Sequence, residues 1–99
     1  MKPLADLRRA VHSAACLAIP CPPFFPRVAP YLWRASKALG NRIMAHQEKR
    51  LEDFTPEQAA RARRACLDLA RCLRNIAGEL ADPGQRDALL GLAEDLDPL

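Results

Sequence analysis

An all-α fold is what these 99 residues predict, and three observations carry that prediction. Apolar residues make up 49% of the chain and are mostly Ala and Leu, with few β-branched residues, a balance that favours helix over sheet. They recur at spacings of three and four along four separate stretches, the period of a helix face. Between those stretches stand prolines placed as helix stops and starts. The expected architecture is a long antiparallel helical hairpin with shorter N- and C-terminal helices, four-helix-bundle-like, with dimerisation to complete it.

The first helix is expected over residues 3–18, where Leu4, Leu7, Val11, Ala14, Ala15 and Ala18 share a face. Pro20 ends it. Residues 20–26, PCPPFFP, read as non-helical, because each proline removes a donor and biases its predecessor toward extended geometry. Residues 20–28 thus become a Pro/aromatic connector. The second helix is expected over 29–53, with Pro30 in its first turn, where the missing N–H costs nothing. Val28, Leu32, Ala35, Leu39, Ile43, Leu51 and Phe54 mark its buried face, and Gly40-Asn41 is a competing stop signal inside it.

The third helix, 56–81, has the strongest start signal. Thr55-Pro56-Glu57-Gln58 is a capping box, with Thr at the N-cap, Pro at the first helical position and Gln at the third. Ala59, Ala62, Cys66, Leu69, Leu73, Ile76 and Leu80 then form an apolar seam, flanked by Leu67, Ala70 and Ala77. Asp82-Pro83-Gly84-Gln85 repeats the capping logic and opens a last helix over 83–96 with Leu89, Leu92, Ala93 and Leu96. The reading is therefore one helical domain over 1–99, with a hairpin at 29–81 and an acidic C-terminal helix at 83–97. Surplus apolar surface left beside the seam points to a symmetric homodimer.

Charge is distributed unevenly. Residues 1–78 carry fourteen Lys and Arg against six Asp and Glu, a balance of +8, whereas residues 79–99 carry Arg86 against six acids, a balance of −5. Such a basic body faces an anionic partner or neutralises the acidic end of its own or a neighbouring copy. No run approaches the ~18 apolar residues of a membrane span. Lys2, Arg8 and Arg9 give the start a basic flavour, but AVHSAACLAI contains a His and runs into Pro-Cys-Pro without a persuasive cleavage site, so a cytoplasmic location is expected.

Cys16, Cys21, Cys66 and Cys72 lack the short spacing of a structural zinc site and are expected to be unpaired thiols, with no cofactor or metal. No nucleophile–base pair, Gly-rich phosphate loop or paired carboxylate is present, and Ser13 and Ser36 lie outside any elbow-like context, so the chain reads as non-enzymatic. His46-Gln47-Glu48-Lys49 has Lys three residues after His, and this resembles the His-x-x-Lys core of histidine phosphotransfer domains, which are four-helix bundles with an exposed His on a hairpin helix. The resemblance covers those two positions. Arg50 stands where that family usually has Gly, and Glu48 where it usually has an apolar residue.

Two surfaces are candidates for function. In IPCPPFFPRVAPYLW, residues 19–33, five prolines hold four of the chain's five aromatics. Phe24, Phe25, Tyr31 and Trp33 cannot all fit inside so thin a bundle, and exposed aromatics with a neighbouring cation, Arg34, mark a partner-binding surface. Lys37, Arg42, Arg61, Arg63, Arg64, Arg71 and Arg74 form the other, a basic face that a phosphate backbone would attract. The leading expectation is a protein–protein interaction module: a regulator, inhibitor or adaptor of the kind mobile elements encode. A nucleic-acid-associated protein is the alternative, and a phosphotransfer module using His46 the second.

Overall fold

A computed structural model describes residues 2–18, 25–40 and 50–98. Among them there are four α-helices and no strand, so the described residues are all-helical: α1 Leu4–Ala18, α2 Phe25–Ala38, α3 Pro56–Glu79 and α4 Pro83–Leu96, with a 3₁₀ turn at Leu51–Asp53. None of these helices is long and apolar enough to cross a membrane.

α1 follows its expected range and buries Leu7, Ala10, Val11 and Ala14. The carbonyl of Pro3 accepts from the amides of Asp6 and Leu7, which closes its first turn. Lys2 ties this end of the chain to the other. Its amide donates to the Pro98 carbonyl at 3.0 Å, and its ammonium donates to the carbonyls of Glu94 and Asp95 in the last turn of α4. A cation there complements the helix dipole beside carbonyls of the last turn, of which Glu94's also accepts from the Asp97 amide.

The second helix departs from expectation at both ends. It begins at Phe25, inside the segment read as non-helical connector, and it ends at Ala38 instead of continuing to residue 53. Pro26 is tolerated because first-turn residues need no intrahelical donor, and Pro30 forfeits one bond, to the Pro26 carbonyl. Against that loss the early start buries Val28 in phase with Leu32, Ala35 and Leu39. At the other end Gly40 adopts φ 63°, a left-handed conformation that glycine takes without strain, and its amide donates to the Lys37 carbonyl at 3.1 Å. Local backbone chemistry at Gly40 therefore outweighs the apolar phase that argued for continuity. Ile43, His46 and Arg42, assigned to the longer helix, lie outside the described residues, as do Phe24 and the side chain of Phe25.

α3 starts as its capping box requires. The Thr55 hydroxyl accepts from the Gln58 amide, and the Gln58 side chain accepts from the Thr55 amide, both at 3.1 Å. Thr55→Ala is expected to cost about 0.5–2 kcal/mol, measured as a loss in chemical denaturation. An unchanged midpoint would show that the box contributes nothing here. Asp82 caps α4 in the same manner, accepting from the Gly84 amide at 2.9 Å.

The four helices share one hydrophobic cluster that includes Leu7, Val11, Val28, Leu39, Leu69, Leu73, Ile76 and Leu96. α3 packs against all three other helices, most extensively against α4 and then α2, and α1 closes the remaining side. The radius of gyration is 13.1 Å, close to the ~13 Å expected of a compact 100-residue domain. The seam is covered within one chain: Ala62, Cys66, Leu69, Ala70, Leu73, Ile76 and Ala77 are all buried.

Candidate functional site

Helical geometry sorts the arginines of α3 onto two faces. Arg61, Arg64, Asp68 and Arg71 follow one another at three, four and three residues, which puts them in one stripe along the α2 side. Arg63 and Arg74 fall on another side. The basic face expected from the sequence is therefore divided: Arg63 is half-buried, with its guanidinium donating to the Lys2 carbonyl at 3.3 Å, and Arg74 pairs with Asp97 at 3.1 Å. Both are taken up in holding the chain ends. Arg42 lies outside the described residues.

A groove runs between α2 and α3. At one end the Arg27 guanidinium makes a two-pronged ion pair with Glu79, joining the first turn of α2 to the last turn of α3. This pair holds the Glu79 carboxyl below its ordinary range, first through the hydrogen bond and then through charge. Gly40 and Gln58 line the opposite end of the same groove. Two hollows lie between these limits. The larger, about 690 Å³, is rimmed by Arg34 and Lys37 on α2 and by Arg61 and Arg64 on α3, with Ala38, Ala65 and Trp33 as its apolar lining. The smaller, about 410 Å³, is lined by Arg27, Tyr31, Arg71, Cys72 and Asn75. Asp68 belongs to both.

Around the larger hollow four cations, Arg34, Lys37, Arg61 and Arg64, face one acid, Asp68, among the described residues. Lys37, Arg61, Arg64 and Arg71 make no ion pair among the described residues. Arg34 sits 6.0 Å above the centroid of the Tyr31 ring, an interaction that leaves its charge in place. Trp33 is 55% exposed, unusual for the largest apolar side chain in a protein whose other large apolar groups are mostly covered. Of the partner-binding residues expected from the sequence, the fold thus brings Tyr31, Trp33 and Arg34 together with Lys37, Arg61, Arg64 and Arg71. The contributions of Asp68, Ala38, Ala65 and Gln58 were missed. Asp68 was legible in principle, since it completes the 61–64–68–71 stripe. The others depend on how α2 lies on α3.

The thiols have different surroundings. Cys16, Cys66 and Cys72 are unpaired. Burial pushes the Cys66 thiol up to about 12, so it acts as a packing group within the seam and not as a nucleophile. Burial also raises Cys72, partly opposed by the Arg27 charge, and its thiol donates to the Arg27 carbonyl at 3.7 Å. Cys16 lies 3.7 Å from His12 on the exposed side of α1. Among the described residues no three His, Cys, Asp or Glu side chains gather as a metal site would require. Cys21, and the His46 on which the phosphotransfer resemblance depends, lie outside those residues. What the groove can do chemically is hold a ligand that is anionic at its edges and apolar at its centre. No protein-family model, curated protein or solved structure gives a match to this chain.

Proposed function

We propose that the protein is a non-enzymatic interaction module, a small regulator, inhibitor or adaptor, that docks another protein in the groove between α2 and α3. In this reading the two helices form the antiparallel hairpin of a four-helix bundle, and the bundle is a rigid mount for the groove. One observation supports it most: Trp33 stands exposed in a hollow whose four rim cations have no carboxylate partner within the described chain. Tryptophan ringed by arginine is the composition that carries most binding energy at protein interfaces.

The test is an affinity pull-down from the native host with wild-type and Trp33→Ala protein as baits. The expected result is a host protein that wild type retains through nuclease treatment and that the variant loses while its helical circular dichroism is unchanged. Retention that disappears on adding nuclease would favour the nucleic-acid reading, for which the unpaired Lys37, Arg61, Arg64 and Arg71 are the supporting observation.

The homodimer is a further proposal, and it needs a different face. Groove against groove would set Arg34, Lys37, Arg61 and Arg64 opposite their own copies, a like-charge contact that costs several kcal/mol. Leu90 on α4, 41% exposed, is the other large apolar side chain available among the described residues. Light scattering across a wide dilution series should give twice the chain mass, and Leu90→Lys should return it to the monomer.

A further inference from the structure

We infer that the ligand of the α2–α3 groove is an acidic amphipathic helix of the partner, about four turns long, whose apolar stripe seats beside Trp33. This rests on the groove being the binding site and names what fits it.

Three features select that occupant. Both rims are cationic, with Arg34 and Lys37 on one side and Arg61 and Arg64 on the other, so the ligand must carry carboxylates along both flanks of its docking face. Between the rims the lining is Ala38, Ala65 and the Trp33 ring, so the strip between those flanks must be apolar. Each rim repeats its charge after three residues, one helical turn, which is the repeat that carboxylates on a second helix present.

The backbone argues for a helix over an extended strand. α2 and α3 have their peptide groups committed to their own intrahelical bonds, so the groove walls offer no ladder to a strand, whose amides and carbonyls would lose water without replacement. A helix brings its backbone already satisfied, and a valley between two packed helices is where the ridges of a third can settle. A nucleic acid fits less well, because Ala38 and Ala65 between the rims give bases nothing to stack on, and only Trp33 and Tyr31 offer ring faces along the groove among the described residues.

Asp68 sets the register. It lies where the two hollows meet and, among the described residues, has no ion-pair partner and is the one acid lining either hollow. A carboxylate of the ligand is repelled there, so the acidic run breaks opposite Asp68 and resumes opposite Arg71. The span from Arg61 to Asn75 is about 21 Å at 1.5 Å per residue, which fixes the length of the ligand helix at about four turns.

Trp33 is the chain's single tryptophan, so its fluorescence reports occupancy without a label. The probes are four: a synthetic helical peptide with Leu at i, i+3 and i+7 and Glu on both flanks; the same peptide with Lys for Glu; a scrambled form of the Glu peptide; and an oligothymidylate. The Glu peptide is expected to shift Trp33 emission to the blue and to saturate. Its binding should weaken by roughly tenfold or more in Arg61→Glu/Arg64→Glu, because two attractions become repulsions. That variant replaces exposed side chains, so its circular dichroism should match wild type.

Equal binding of the scrambled peptide would overturn the helix. Equal binding of the Lys peptide by wild type would overturn the acidic ligand. Saturation by oligothymidylate with none by the Glu peptide would assign the groove to nucleic acid. If no peptide binds but Trp33→Ala still loses its host partner, the groove reading stands and the acidic-helix assignment falls. A host partner retained by Trp33→Ala brings down the groove reading itself.

Discussion

Leu69→Ala should destabilise the protein by about 2–5 kcal/mol, the combined cost of losing apolar transfer energy and leaving a cavity. Leu69 is 0% exposed and sits midway along α3, the helix that touches each of the other three. Its neighbours along the seam, Cys66 and Leu73, are as deeply buried, and close-packed neighbours cannot collapse freely into the space. A domain of this size has a total stability of about 5–15 kcal/mol, so one such change removes a large part of it. Each kcal/mol lowers the melting temperature by about 4–8 °C in a chain of this length. Gln85→Ala is the control: Gln85 is exposed on α4, and its loss should stay within about 0.5 kcal/mol. Equal melting temperatures for the two variants would show that α3 is not packed as described.

The opposite substitution tests the same interior from the other side. Ala70→Leu adds three carbon atoms at a position with no exposure and should cost about 1–3 kcal/mol through displaced helices or strained rotamers. Helix propensity predicts almost no effect, because Leu ranks just below Ala. Any measured loss therefore reports packing. Ala60→Leu, on the exposed side of the same helix, should be close to neutral. Ala62, Ala70, Ala77 and Ala93 are all buried, and such small residues allow helices to approach closely, so methylenes added there have no space to enter. A thermal melt of Ala70→Leu that overlays wild type would reveal a void beside α3.

The groove was half legible. Trp33 belongs to the aromatic group that the sequence marks as a partner-binding surface, and it is exposed, one position off the buried stripe of Val28, Leu32 and Ala35. Arg61, Arg64 and Arg71 were expected on an accessible face, and they are. Arg63 and Arg74 were placed with them and do not belong there, because their partners Lys2 and Asp97 are 61 and 23 residues away in sequence. Nothing within one helix announces such a contact.

The sequence by itself determined what short-range physics decides: that the chain is helical, where α3 begins at Thr55, where α4 begins at Asp82, and which residues of α1, α3 and α4 face inward. Each of these follows from a spacing of three or four or from a cap within four residues, interactions a chain makes with its near neighbours. The start of α2 needed more. Pro26 argued against helix, yet burying Val28 against the other helices outweighed the local cost. Its end turned on competition between apolar phase and the left-handed Gly40, and the backbone of Gly40 prevailed. Only the tertiary structure decided which arginines remain available, since that depends on where the chain ends pack and which acids they carry. Periodicity says which face of a helix turns inward, but charges are paired across space, by partners whose distance along the chain no periodicity encodes.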